Sequence, residues 1–422
     1  MSTAVREAVS NFNIQVRIRT TAVTAALALA ITVIAALPAQ AQTLSILHTF
    51  TGPDGGSPYS GVTMDQGGNL YGTTATGGAG YGTVFKLSHK GTGWILSTLY
   101  TFQGGADGAC PYAGVVFGPD GALYGTTSDD CLDNGPSSTY GTVFSLRPPS
   151  NACPSFHCPW TKTVLYRFTT GSDGAYPGYG DLVFDAAGNI YGTTLEGGGQ
   201  EALGVVFKLS RSGESWTEAV LYSFSSTGNG GYFPQTGVIL DSAGKIYGAT
   251  FLGGVYGAGV VFQLTHPGSS WKENDLHGFG SINDGSSPVG VIMDQQGNLY
   301  GATNDGPGGT GTVFELQPSG DTWTYSLLVV LPGSGFSGPT AAPTMDAAGN
   351  LYGTTYETGL DGTVFKLTPS GGGWTYTDLH DFNGQDGSLP IGTVLLDAQG
   401  NIYGTTSARS NSNYGEVWEL TP

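Results

Sequence analysis

The chain has 422 residues, of which 71 are glycine and only 11% are charged, and its formal net charge is −18. Glycine is well above its usual share of about 7% and charge well below its usual 25%, which excludes a helical bundle and favours many short strands joined by turns. The acidity excludes nucleic acid and anionic membrane surfaces as partners, because both require a positive face.

At the N-terminus Arg17 and Arg19 precede an apolar run from Thr21 to Leu37, and Pro38-Ala39-Gln40-Ala41 follows as a small-x-small site. This predicts an export signal over residues 1–41, cleaved after Ala41; the run is short of the roughly 20 apolar residues that span a bilayer. Cleavage removes three Arg and one Glu, moving the formal charge from −18 to −20. The mature chain, residues 42–422, is expected to be a single domain outside the cytoplasm, secreted or periplasmic, without membrane insertion.

The first predicted strand is Leu44-Ser45-Ile46-Leu47-His48-Thr49-Phe50, which matches Leu379-His380-Asp381-Phe382 near the other end. Beyond it a segment of the form Gly-Asn-Leu-Tyr-Gly-Thr-Thr recurs, with its tyrosine at Tyr71, Tyr124, Tyr191, Tyr247, Tyr300, Tyr352 and Tyr403. A second signature follows each copy, Val84-Phe85-x-Leu87 in the first and Val417-Trp418-x-Leu420 in the last. Periods near fifty residues indicate a repeat architecture.

Within the first repeat, strand A is expected over Gly61–Asp65, strand B over Leu70–Thr74, strand C over Gly82–Leu87 and strand D over Trp94–Phe102. β-Branched and aromatic residues fill these runs, and Gly, Asn, Asp, Ser and Pro fill the gaps. Alternation is incomplete, so both faces of each sheet are expected to be buried, as radially stacked blades require. Trp94, Trp160, Trp216, Trp271, Trp323 and Trp374 each stand eight residues before the end of strand D and are assigned to the framework. The seventh repeat stops after strand C, and residues 43–50 supply its strand D. The fold class is therefore all-β, a seven-bladed β-propeller of four-stranded antiparallel blades closed by an N-terminal strand, which leaves no open sheet edge.

These elements, with Gly-Thr-Val-Phe-Lys-Leu and Leu-Tyr-x-Phe, resemble the GloVer tandem repeat of bacterial secreted proteins, described as choice-of-anchor because members carry various C-terminal surface anchors. The resemblance spans residues 43–422. It implies export and a propeller-like repeat but no particular activity. No anchor segment follows Leu420, so release or periplasmic residence is expected as readily as surface attachment.

In such a meander the D–A and B–C loops share one face of the disc, where a site is to be sought. Cys110 and Cys131 fall on that face, Cys153 and Cys158 in a C–D loop on the other, so the pairing that does not cross the disc is 110–131 with 153–158. Six strand A aspartates, Asp65, Asp185, Asp241, Asp294, Asp346 and Asp397, precede tight turns and are read as acceptors for turn amides. Five D–A loops carry Asp-Gly-x-x-Pro, starting at Asp54, Asp107, Asp173, Asp284 and Asp386, with a turn role as the first reading and a carboxylate ring for ligands as the other. His48, His277 and His380 occupy the strand D place of Tyr100, Tyr166 and Tyr222, and no histidine pair has metal-ligand spacing.

Five tyrosines lie outside the repeat's needs: Tyr59 and Tyr112 after the D–A proline, and Tyr81, Tyr140 and Tyr414 four residues before the strand C aromatic. With Asp54 and Asp107 they are the candidate ligand contacts, expected on the sector of blades seven, one and two. Aromatic faces beside carboxylates suit sugar recognition. The expected function is a non-catalytic binding propeller for a polysaccharide or surface protein. A glycan lyase or hydrolase using loop acids, and a structural envelope module, are the alternatives. No metal, no cofactor and a monomer are expected.

Overall fold

Seven antiparallel sheets, each paired in the order A-B-C-D, follow one another along the chain. They are seen in a computed structural model, which describes residues 42–91, 93–128, 131, 139–149, 160–281, 283–333, 338–356, 361–408 and 414–422. Thr43–Thr421 forms one compact unit. The expected signal over residues 1–41 lies outside the described residues, as do Cys153 and Cys158. In blade 1 the strands are Thr63–Met64, Leu70–Thr74, Thr83–Lys90 and Gly93–Thr101.

The recurrent motif folds as it does because each of its residues has a separate partner. Strand B is buried throughout, and its glycine lies beneath the strand C aromatic: a Cβ on Gly72 would come within 2.5 Å of Phe85 Cζ, and one on Gly404 within 2.3 Å of Trp418 Cζ2. The first threonine reaches the next blade. Thr73 Oγ1 donates to the Ala113 carbonyl at 2.8 Å, Thr193 to Thr236 at 2.7 Å and Thr405 to Ser60 at 2.7 Å. The second threonine pairs within the blade, as Thr74 does with Thr83 at 2.8 Å. The tyrosine hydroxyl donates to the strand A aspartate, Tyr71 to Asp65 at 2.9 Å.

Aromatic rings join the blades. The phenylalanine ending strand D packs on the strand C aromatic of the following blade, with centroids 5.3 Å apart for Phe102 and Phe144 and 5.1 Å for Phe168 and Phe207. A second seam contact pairs the glycine entering strand C with the proline of the next D–A loop. A Cβ there would lie 2.3 to 2.8 Å from the proline Cδ in all seven blades, and the glycine φ is positive in six of them. Only glycine meets both conditions at low cost.

Closure follows the same rules. Thr43–Thr49 pairs with Glu416–Thr421, Phe50 packs on Phe85 at 5.2 Å, and Pro58 covers Gly415. The register slips between Ile46 and His48, matching the bulge opposite the strand C Val-Phe pair in the other six blades. The N-terminal strand is thus a true strand D in sequence and in geometry.

Two expectations change. Strand A is shorter than Gly61–Asp65, because the residues before Thr63 leave the sheet to form the wall of the axial channel, where neighbouring threonines bind their carbonyls. Strand D is not buried on both faces: Gly93–Thr101 alternates between exposed and half-buried for most of its length, as the outermost strand of a wedge must. Among the described residues, no helix is long and apolar enough to cross a membrane.

Candidate functional site

The strand A aspartates hold the A–B turns, at the end of the disc opposite the D–A and B–C loops. Asp65 Oδ1 accepts the N–H groups of Gly67 and Asn69 at 2.8 and 2.9 Å. Burial alone would raise its pKa; the Asn69, Tyr71 and Gly67 donors outweigh that and hold it below the usual range. In blade 2 Gly118 replaces this aspartate, and Asp120, two residues on, accepts the Tyr124 hydroxyl at 2.9 Å instead.

The D–A aspartates lock each loop to strand D. Asp54 accepts from Thr51 N–H and Oγ1 at 2.8 Å and pairs with His48 Nε2 at 2.9 Å. Asp107 accepts the Tyr100 hydroxyl at 2.7 Å, Gln103 N–H at 2.9 Å and Lys162 Nζ at 3.0 Å. Asp284 with His277 and Asp386 with His380 repeat the pairing, so these histidines do the work of tyrosines. Both Asp54 and Asp107 oxygens are committed to the frame.

Lys162 reaches across a seam to Asp107, and the equivalent position in the next blade, two residues after the strand D tryptophan, is Glu218. Burial first, and the Asp173 charge second, push the Glu218 carboxyl up to about 7. Its folded pKa lies above the unfolded value, so the folded state holds the extra proton and stability falls as pH rises from the ordinary glutamate range towards 7. We expect Glu218→Lys to raise the thermal midpoint at pH 8 by recreating the Lys162–Asp107 pair, and Glu218→Gln to flatten the decline. A lower midpoint for the lysine variant at pH 8 would refute the assignment.

Tyr81, Tyr140 and Tyr414 occupy three successive seams. The Tyr81 carbonyl accepts Cys110 N–H at 2.9 Å, Tyr140 packs edge-on to Tyr176 at 6.1 Å, and Tyr414 lies against Gly52 and Gly56. Tyr59 and Tyr112 instead line the axial channel, joined by Tyr179, which the sequence reading missed. Tyr59 and Tyr112 meet edge-to-face at 5.2 Å, and Tyr112 and Tyr179 stack at 5.4 Å with planes 10° apart. Tyr112 is buried and Tyr179 is 40% exposed. The arc therefore spans blades one to three, one blade round from the sector expected.

Its position is fixed from behind. Cys110 and Cys131 form a disulfide with Cα atoms 5.6 Å apart, and with Ala75 and Ala109 they pack around Tyr112, with Tyr59 and Tyr81 against the cluster. Cys110 has φ 54°, and Ser57, Tyr176, Phe233, Ser287 and Leu389 adopt the same left-handed conformation before their prolines. Such strain persists only where surrounding contacts over-determine it.

The channel encloses about 550 Å³, within the usual size of a small-molecule site, and its lining draws on all seven blades. Among the lining residues Asp181 is the single carboxylate, and no Lys, Arg or His is present. Gly114 N–H donates to Asp181 Oδ1 at 2.8 Å. Asp181 is exposed to the channel while protein packs around it on the other sides. Enclosure pushes its pKa up and the Gly114 donor opposes this. A second hollow lies between blades four and five on the opposite face, bordered by Asp241, Lys245, Asp294 and Trp323. Among the described residues no three His, Cys, Asp or Glu side chains converge as a metal site would require.

Sheet order, ring closure and an axial channel define a seven-bladed β-propeller. The chain belongs to the Gloeobacter/Verrucomicrobia repeat family, whose model matches residues 31–178, 131–359 and 304–422. No curated protein matches it in sequence. Solved structures share the fold. A fungal alcohol oxidase of the AA5 family, in complex with copper, is 16% identical with a TM-score of 0.54, covering 90% of this chain and 76% of its own. A Bacteroides fragilis protein proposed as a 6-phosphogluconolactonase is 16% identical, TM-score 0.50, covering 85% of this chain and 90% of its own. The extracellular domain of a proposed one-component system of B. thetaiotaomicron is 14% identical, TM-score 0.50, covering 90% and 40%. At these identities the likeness is one of fold, and no activity is transferred.

Proposed function

We propose that this protein is an exported, non-catalytic binding propeller that holds a polysaccharide, or the glycan of a surface component, at the mouth of its axial channel. The observation that carries this is the arc of Tyr59, Tyr112 and Tyr179 on the loop face, immobilised by stacking and by the Cys110–Cys131 disulfide. Aromatic faces pack on sugar C–H groups, and the Ser60, Gln235, Thr236 and Thr340 side chains of the lining can bind hydroxyls. Glycoside hydrolysis ordinarily needs two acids flanking the bond. Among the described residues the channel lining offers Asp181 alone, which favours binding over cleavage. The disulfide supports a location outside the reducing cytoplasm.

A glycan-array screen followed by calorimetry tests the reading. Tyr179→Ala is expected to weaken the captured glycan by about tenfold, the loss of one good stacking contact. Tyr414→Ala, outside the channel, is expected to leave affinity unchanged. An array without any retained glycan, or equal loss from both variants, would end the proposal.

A further inference from the structure

We propose that Asp181 makes the channel selective for glycans bearing a protonated amine, such as glucosamine units, and against glycans bearing carboxylate or sulfate. The inference rests on the reading of the tyrosine arc as a glycan site and names the chemistry of its ligand.

Asp181 stands four residues before the strand A aspartate Asp185, and at that place the other six blades carry glycine four times, then Ala342 and Thr393. One blade alone therefore puts a charge-bearing group into a ring of small neutral residues. The Gly114 N–H of the neighbouring blade fixes its orientation across the seam at 2.8 Å. Among the described residues no positive side chain lines the channel to neutralise it. A carboxylate that faces the channel with no cation beside it gains from a charge-assisted hydrogen bond brought by the ligand, and an anionic ligand would meet it as an uncompensated like charge. The excess of 32 acidic over 14 basic residues adds a field that attracts cations and repels anions.

The same carboxyl couples binding to protons. The other titratable groups lining the channel are the hydroxyls of Tyr59, Tyr112 and Tyr179. The protein around the channel raises the Asp181 carboxyl above its usual range, so an ammonium group, which binds the ionised form, competes with the proton. Affinity for an amine-bearing sugar should then rise with pH through that range, until the amine itself deprotonates. A group with only a structural role would not produce this profile.

The test is calorimetry of the full-length protein with three probes of equal length: a glucosamine tetramer, an N-acetylglucosamine tetramer and a galacturonate tetramer. We expect the glucosamine tetramer to bind at least about tenfold tighter than its acetylated form, and the galacturonate tetramer weakest. Asp181→Asn keeps the acceptor for Gly114 and should erase the difference while preserving affinity for the acetylated tetramer. Asp181→Gly restores the residue of the other blades and should do the same. Equal affinity for the cationic and acetylated probes in the unaltered protein, or a preference surviving both substitutions, overturns charge selection and leaves the tyrosine site standing. If no tetramer binds, the glycan reading falls and this inference with it.

Discussion

Without residues 43–50 the protein is expected to lose its cooperative unfolding transition. Removing them strips strand D from the last blade, leaving Glu416–Thr421 as an unpaired edge. It also removes Phe50, which is fully buried against Phe85, along with the partly buried Leu44 and Leu47. Each large apolar side chain is worth about 1.5–3 kcal/mol when fully buried. One such group, two partly buried leucines and a ladder of backbone hydrogen bonds are a large share of the roughly 5–15 kcal/mol that holds a domain together. The loss falls on the one seam that closes the ring, so neighbouring blades cannot compensate. Denaturant unfolding of the truncated chain should show a broad, shallow transition and binding of hydrophobic dye. Retention of the full-length midpoint would show that the ring is sealed some other way.

Gly301→Ala should be nearly as damaging, although it adds one methyl group. A Cβ at Gly301 would stand 2.4 Å from Phe314 Cζ and 2.7 Å from the Gly290 carbonyl oxygen, so ring and backbone must both move. Overpacking a fixed core costs about 1–3 kcal/mol, and the backbone clash puts this site at about 3 kcal/mol. The double variant Gly301→Ala with Phe314→Leu should recover part of the loss, because a smaller side chain frees the space. An unchanged denaturation midpoint for the single variant would contradict the packing described for the motif.

Much of this architecture was legible because each recurrent residue answers a local need. The strand A aspartates do accept turn amides as their position suggests, and residues 43–50 do complete the last blade. What the repeat could not reveal was the partner across the seam. The proline over each strand C glycine and the left-handed residue before that proline depend on how blades meet.

The channel was harder still. Its wall collects residues about fifty positions apart that converge only when the ring closes. Tyr179 escaped notice because repeat three has one extra residue, Gly178, after its proline. Counting back from the strand A position would have found it, since Tyr59, Tyr112 and Tyr179 each stand six residues before Asp65, Gly118 and Asp185. The same count exposes Asp181 as the charged exception in its ring. Asp54 and Asp107 stood out because they recur, and the structure gives that recurrence a framework reason in the lock between loop and strand D.

A crystal structure of the protein soaked with an array-identified oligosaccharide would show where the ligand sits. A sugar ring is expected in van der Waals contact with Tyr179 at the channel mouth, with a polar substituent directed towards Asp181. Ordered sugar in the hollow between blades four and five, with the channel mouth holding only water, would contradict the proposed binding site.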